Sequence, residues 1–448
     1  MRLTCLGGAG EIGANSYYLR AGGAGLILDP GMHPKKEGLA ALPRFAAVDD
    51  EVDPILVTHA HLDHVGALPR AMQRFPRARI HMTVAGWRFA QRMLKNAASV
   101  MRKKSELDVA GTPPLYGYDA LADLSALVET HDFHTPIHLG RGARATFVPA
   151  GHIPGAAGIL VEEDGKHKTR LFYTGDTCAA SQLLIPGAED PAGPIDVLLT
   201  ESTYGANLVA DGMPADEVLQ KFAVSITRVL EGGGIALVPV FALGRAQELL
   251  FALWVLAQKG RIPRVPVYLT GLARAVTRVY DDTRHDTPRK DPGLRLERLG
   301  FEVLDDQMLA SGAPAPPAII LASSGMMLPR TLSNRIARRV LPEPKDTIFI
   351  VGYQDPDSPG FRVQKSQPGD AIDLADDGAP VIRNCGVERF HFRAHSTRSE
   401  LLTTARRLRP ALTVLIHGDP TSTDSLAQTL SSAGGKILRP DPAIPYDL

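Results

Sequence analysis

The segment His59-Ala60-His61-Leu62-Asp63-His64 places four metal-capable side chains within six positions. Three imidazoles and a carboxylate form a nitrogen-and-oxygen donor set that suits zinc. The segment follows an apolar, strand-like run, Ile55-Leu56-Val57-Thr58, and precedes Val65-Gly66-Ala67-Leu68, which reads as a helix start. A strand end is a rigid base on which ligand geometry can be held. Because strand side chains alternate, His59 and His61 share one direction, while Asp63 and His64 come after the strand and can turn toward a second ion. This spacing fits a two-metal hydrolytic site. Further donors can supply what each ion lacks. His152 follows a strand and precedes the tight turn Ile153-Pro154-Gly155, Asp176 can bridge two ions through its two oxygens, and His417 closes the apolar run Thr413-Val414-Leu415-Ile416.

The elements that must position these residues are readable as well. Strand-like runs end at Asp29, at Ala150-Gly151-His152, at Gly175-Asp176 and at Glu201. Repeated exits of this kind suggest one catalytic edge fed by many strands. From about Gly205 the rhythm changes to alternating helix and strand. Val218, Leu219, Phe222, Ile226, Val229 and Leu230 keep a helical period, ended by Gly232-Gly233-Gly234. A strand over 235–240, a helix over 245–257 and a strand over 267–269 follow. The continuous apolar runs 318–322 and 347–351 read as buried parallel strands. The stretch 281–292 reads as a surface loop. The expected organisation is a first domain over 1–205, an inserted α/β domain over 206–378, and a segment over 379–448 that completes the first.

Composition sets bounds. At 448 residues the chain is long for one core. Hydrophobic content of 44%, with no apolar run of spanning length, argues for a soluble protein without a membrane partner. The N-terminus lacks the layout of a secretion signal. The widely spaced Cys5, Cys178 and Cys385 argue against a disulfide framework and for a reducing, cytoplasmic setting. The 49 basic and 49 acidic residues balance, so charge alone does not point to nucleic acid.

Taken together, these segments resemble the metallo-β-lactamase superfamily and, within it, the β-CASP nucleases. The likeness is greatest to the endonuclease subunit of the cleavage-and-polyadenylation machinery and its bacterial relatives, and more distant to ribonuclease J. Asp29 matches the first motif, a structural carboxylate; His59, His61, Asp63 and His64 match the second; His152 and Asp176 match the third and fourth. Glu201 in Glu201-Ser202-Thr203-Tyr204-Gly205, His395 in Arg393-Ala394-His395-Ser396, and His417 match the three β-CASP motifs. The runs 239–248, 324–327 and 351–354 resemble the inserted domain.

The resemblance implies a metallo-β-lactamase αββα sandwich with an inserted β-CASP α/β domain of mainly parallel sheet, and an active site in the cleft between them. It implies two Zn²⁺ per chain, one held by His59, His61 and His152 and the other by Asp63, His64 and His417, with Asp176 bridging. It further implies hydrolysis of RNA phosphodiester bonds by a two-metal hydroxide mechanism, endonucleolytic, with a 5′–3′ exonuclease mode as the variant. Asp63, Asp176, Glu201 and His395 are the catalytic candidates, His395 as the proton donor to the leaving 3′ oxygen and Glu201 as its partner.

A histidine at the position of His417 goes with RNA in this family. Single-stranded RNA is therefore the expected partner, with a homodimer or an accessory protein for target selection. Candidates for gripping phosphate are Arg245, Arg330, Ser323, Ser324 and Gly325, with Arg335, Arg338 and Arg339 equally readable as a solvated helix face. Where the family often has glycines, this chain has Leu328-Pro329 and Asp355-Pro356-Asp357-Ser358-Pro359; where it often has Asp, Thr397 stands. The alternatives are a small-ester, lactone or amide hydrolase and a non-catalytic RNA-binding scaffold. His131, His134 and His138 are read as surface or strand positions, and His33 as lying outside the cleft.

Overall fold

In the strands Arg2–Gly7 and Ser16–Ala21, Leu3, Cys5, Tyr17 and Leu19 are fully buried. Alternation along a strand gives such a face when a second sheet packs on it. The computed structural model contains that second sheet; it describes residues 1–107, 113–140, 142–164, 168–312, 314–375 and 378–448.

The first sheet runs in the order Pro445–Asp447, Arg2–Gly7, Ser16–Ala21, Ala24–Leu28, Ile55–Leu56, Ile80–Thr83, Val128–His131. The second runs Ile437–Leu438, Leu412–Ile416, Val197–Glu201, Thr169–Tyr173, Ala157–Glu163, Ala143–Pro149, Pro136–Gly140. Between them lies a core in which Leu3, Tyr17 and Leu26 meet Phe147, Ile159, Leu171, Leu199 and Val414. The other face of the second sheet, with Leu160, Phe172 and Leu198, carries the helices Arg398–Leu408 and Pro420–Ser432 through Leu401, Leu402 and Leu426. The helix Val84–Leu107 packs on the first sheet at Ile80–Thr83 and Val128–His131. The layers are therefore helix, sheet, sheet, helix.

This unit comprises Met1–Asp211, His285–Arg289 and Ala394–Leu448; Gly212–Arg284 and Lys290–Arg393 form a second compact unit. In the second unit, six parallel-paired strands are ordered Glu302–Leu304, Val267–Thr270, Ala318–Ala322, Ile235–Pro239, Thr347–Ile350, Gly386–Arg389. Ala318–Ala322 and Thr347–Ile350 are buried at every position, as their unbroken apolar runs require. The helices Leu332–Val340 and Pro359–Lys365 cover one face through Ile336, Val340 and Val363. The chain returns to the first unit at Ala394, later than the expected 379, because Gly386–Arg389 pairs with Thr347–Ile350.

Another difference lies at the opening cluster. The strand is only Ile55–Leu56, and an additional short helix, Leu62–Val65, precedes the expected one, which runs Leu68–Arg74. Thr58 leaves the sheet because its N–H donates to Asp29 Oδ1 (2.7 Å) instead of to a neighbouring strand. Asp63 and His64 consequently sit in a helical turn.

Phe147, fully buried between the two sheets, tests this arrangement. Phe147→Ala should destabilise the protein by about 3–5 kcal/mol, read as a lower urea midpoint at unchanged slope.

Candidate active site

The loop-to-helix segment at the end of the strand Ile55–Leu56 brings His59, His61, Asp63 and His64 beside loops from the second sheet. His152 lies past the strand Ala143–Pro149, Asp176 past Thr169–Tyr173, Glu201 at the end of Val197–Glu201 and His417 past Leu412–Ile416. Donor atoms of His59, His61, His152 and Asp176 all lie within 4.8 Å of one another, as do those of Asp63, His64 and His417.

The nitrogens facing away from the cluster fix the tautomers. His152 Nδ1 donates to the Ala394 carbonyl (2.7 Å). His59 Nδ1 donates to Thr58 Oγ1 (3.0 Å), which itself donates to Asp29 Oδ2 (2.7 Å). Burial then pushes both imidazoles well below the usual histidine range, so they are neutral. Their bare Nε2 atoms stand 3.2 and 3.0 Å from His61 Nδ1 and 3.5 and 3.7 Å from Asp176 Oδ2. One proton on His61 cannot satisfy all of these lone pairs.

Around the second group, Asp176 Oδ1 lies 3.2 Å from His64 Nε2 and 3.2 Å from His417 Nδ1, while Asp63 Oδ2 lies 3.3 Å from His417 Nε2. Asp176 Oδ1 is fully buried without a hydrogen-bond partner. Burial alone would lower the pKa of His64, but Asp176, Asp63 and Asp29 outweigh it and hold the imidazole well above its usual range. Burial would likewise raise Asp176, yet the imidazoles of His417 and His64 pull it well below the usual carboxylate range. The pocket demands positive charge. A divalent cation fits this donor set: it would satisfy the converging lone pairs and the orphaned oxygen together.

Asp29, expected as a structural carboxylate, holds these side chains in place together with Asn15, Tyr17 and Tyr173, which carry no such mark in the sequence. Asp29 is fully buried and takes Thr58 N–H and hydroxyl, the Tyr173 hydroxyl (2.7 Å) and His64 Nδ1 (2.8 Å). Asn15 donates through its side chain to the Asp63 carbonyl (3.0 Å) and is itself held by Tyr17 (3.1 Å). Tyr17 and Tyr173 look like ordinary core residues, and nothing in their spacing marks a polar role. Asp29 and His417 adopt positive φ, 57° and 46°, a local strain of the kind that collects at functional sites.

His395 is anchored by its neighbours. Ser396 N–H donates to Thr177 O, and the Ser396 hydroxyl accepts from Ala179 N–H (2.9 Å). Thr397, at the position where the family often has Asp, caps the helix Arg398–Leu408 in a capping box with Glu400. The buried Glu201 carboxylate accepts from His395 Nδ1 at 3.1 Å through both oxygens and from Thr177 N–H at 2.7 Å. Burial disfavours the imidazolium, but Glu201, with Asp176 and Asp63 behind it, wins and holds its pKa up at about 9. The His395 ring lies 4.5 Å from that of His152.

Family models match three stretches: the metallo-beta-lactamase superfamily over residues 9–177, the Beta-Casp domain over 246–363, and the Zn-dependent metallo-hydrolase RNA specificity domain over 380–440. The chain belongs to the metallo-β-lactamase superfamily, in its β-CASP branch. Endoribonuclease YSH1 of Gibberella zeae is 31% identical over 93% of this chain and 53% of its own length. For endoribonuclease ysh1 of Schizosaccharomyces pombe the figures are 31%, 95% and 55%. For cleavage and polyadenylation specificity factor 73 of Drosophila melanogaster they are 29%, 94% and 60%. The chain thus spans little more than half the length of these relatives. A crystal structure of a protein of unknown function from Enterococcus faecalis V583 shares the fold, with a TM-score of 0.57 at 13% identity, covering 100% of this chain and 99% of that one.

The β-CASP unit places the other expected residues as follows. Arg245 is buried, with Nη2 donating to the Phe392 carbonyl (2.6 Å), so at least part of its guanidinium serves the unit itself. Ser323, Ser324 and Gly325 follow the strand Ala318–Ala322. There Ser323 bonds Thr270 (3.0 Å), Ser324 Oγ accepts from Met326 N–H (3.2 Å) and the Gly325 carbonyl accepts from Gln354 (2.9 Å). Arg330 is exposed at positive φ. Arg335 pairs with Asp306, Arg338 bonds the Ala379 carbonyl and Arg339 the Gly312 carbonyl. In the metallo-β-lactamase unit, His33 is outside both donor groups; its Nδ1 accepts from Lys35 and Lys36 N–H and its Nε2 faces Glu11. His134 pairs with Glu189 and His138 lies on Pro136–Gly140. Among the described residues, no helix is long and apolar enough to cross a membrane.

Tyr173→Phe would keep the ring packing on Tyr17 and remove one donor to buried Asp29. Its expected cost is about 1–3 kcal/mol, measured by urea unfolding.

Proposed function

We propose that this chain is a ribonuclease that cuts single-stranded RNA internally, with two zinc ions per chain. The observation that carries the reading is the convergence of imidazole and carboxylate lone pairs on Asp176, beside an imidazole, His395, that its own carboxylate keeps charged. The names of the similar endoribonucleases and of the RNA specificity domain over 380–440 support RNA as the substrate.

In this reading His59, His61 and His152 would hold one ion and Asp63, His64 and His417 the other, with Asp176 between the two groups. The imidazole-rich donors favour zinc. When bound, the ions supply Lewis-acid charge for the phosphate oxygens and a nucleophile at neutral pH.

The chain's own groups do the rest. Glu201 occupies His395 Nδ1, which leaves Nε2 to carry a proton to the departing 3′ oxygen. A pKa held near 9 keeps that proton in place at neutral pH. Asp29 fixes His64, and with Thr58 also His59, so the ligand rings need not reorganise. Arg330, Ser323, Ser324 and Gly325 remain the proposed phosphate contacts in the β-CASP unit.

Zinc-loaded protein should cut 5′-labelled single-stranded RNA at internal positions and leave DNA of the same sequence intact. His395→Ala should lower the cutting rate by about 10²–10⁴-fold with unchanged zinc content. Equal cutting by both proteins would remove His395 from the mechanism; release of 5′ mononucleotides would make the activity exonucleolytic. Hydrolysis of a small ester with no action on RNA would overturn the ribonuclease reading.

Elemental analysis should return two zinc per chain, and Asp176→Ala should lose most of it. Chelation should lower the melting temperature, by the equivalent of about 4 kcal/mol if zinc had stood at a thousand times its dissociation constant.

A further inference from the structure

A second group of donors lies on the first sheet, apart from the residues above. The edge strand Val128–His131 pairs in parallel with Ile80–Thr83, with His81 opposite Glu129 and Thr83 opposite His131. Glu129 and His131 are two residues apart and so project to the same face, where His81 meets both. His81 Nδ1 lies 2.8 Å from His131 Nε2 and 3.9 Å from Glu129 Oε2, and one donor atom from each of the three falls within 4.8 Å of the others.

We propose that His81, Glu129 and His131 form an auxiliary site for one divalent transition metal, of the zinc, nickel or copper class, that staples the edge strand to its neighbour. Two imidazoles and a carboxylate are the ligands these ions take, leaving a position for water.

The imidazoles are available as ligands. Burial, helped by each ring's closeness to the other, takes His81 down to about 4, and burial lowers His131 as well. Their nitrogen separation resembles the 3.0 and 3.2 Å found between the histidines of the main cluster. Ligands of one tetrahedral zinc would stand about 3.3 Å apart, so the rings need open by only a fraction of an ångström. Asp53 and Asp132 add negative potential around the pair. The opposing cation, Arg79, is 3.8 Å from the other oxygen of Glu129, and both groups are about half exposed, which makes that pair weak. The His131 ring rests near Phe147, a core residue, so the site has a firm floor. The competing arrangement is a plain imidazole–imidazole hydrogen bond, which needs no carboxylate and binds no metal.

The test uses holoprotein whose main site is already loaded. Wild type, His131→Gln and Glu129→Gln are equilibrated with micromolar zinc, passed through a desalting column and analysed for metal. The wild type should retain one more equivalent than His131→Gln, and Glu129→Gln should bind that equivalent more than about tenfold more weakly, since even an outer-shell partner is worth that much. Added zinc should raise the melting temperature of wild type above that of both variants. Equal zinc content and equal melting shifts in all three proteins would overturn the proposal. Because the readout is a difference between variants, it does not depend on how many ions the main site holds or on RNA cleavage. Glu129 is exposed, so its variant tests the site even if His131→Gln folds poorly.

Discussion

Asp176 is the constraint around which the first unit is arranged. It is a carboxylate with one buried oxygen unpartnered, surrounded by imidazoles whose outward nitrogens are already committed. A protein interior rarely tolerates an orphaned charged oxygen, because desolvation costs several kcal/mol unless the charge is paired. Among its neighbours, His64 is lifted toward the charged form, but it is shared with Asp63 and Asp29. His59 and His152 are held neutral, and both aim bare nitrogens at the same space. A divalent cation would resolve that arrangement, and the fold fixes the rings of His59, His64 and His152 from behind.

The fixing is done by the two-sheet core. Tyr17 and Tyr173 pack edge to face, 5.3 Å between ring centres, and their hydroxyls leave the core at Asn15 and Asp29. Those two residues in turn hold the Asp63 carbonyl, His64 and Thr58. Close approach is part of the same device. A Cβ on Gly31 would stand 1.7 Å from the Asp63 carbonyl oxygen, so the segment after Asp29 can pass beneath the ligand loop only as glycine. Packing energy is thereby converted into ligand geometry, the route by which a rigid scaffold preorganises a site.

The candidate metal donors were legible in the sequence because they cluster just after apolar runs that stop abruptly at His, Asp or Glu. The buried parallel strands were legible for the related reason that a strand covered on both faces has no polar positions, as Ala318–Ala322 shows. What stayed hidden depends on pairing between distant segments. Tyr173 reads as core until its hydroxyl is seen on Asp29, 144 residues away. His81 and His131, 50 residues apart, meet only because parallel pairing aligns their strands. Arg245 fits a phosphate contact by type and position, yet its guanidinium reaches the Phe392 carbonyl, a contact no local pattern encodes. The helix start at Leu62 was hidden likewise, since Asp29 draws Thr58 out of the sheet.

The cluster's two halves are electrostatically unlike, and this explains how a chain of zero net charge can build so polar a centre. On the side of His59, His61 and His152, imidazoles outnumber carboxylates, and burial drives His59 and His152 neutral. On the side of Asp63, His64 and His417, carboxylates dominate and lift His64. Asp176 faces both, so whatever charge settles on one side changes the demand on the other. His395 stands next to this balance with a carboxylate of its own. Its charge is set chiefly by Glu201, at 3.1 Å, and only secondarily by Asp176 and Asp63. Separate carboxylates therefore serve separate cations: the central acids call for metal, and Glu201 keeps a proton on the imidazole beside it.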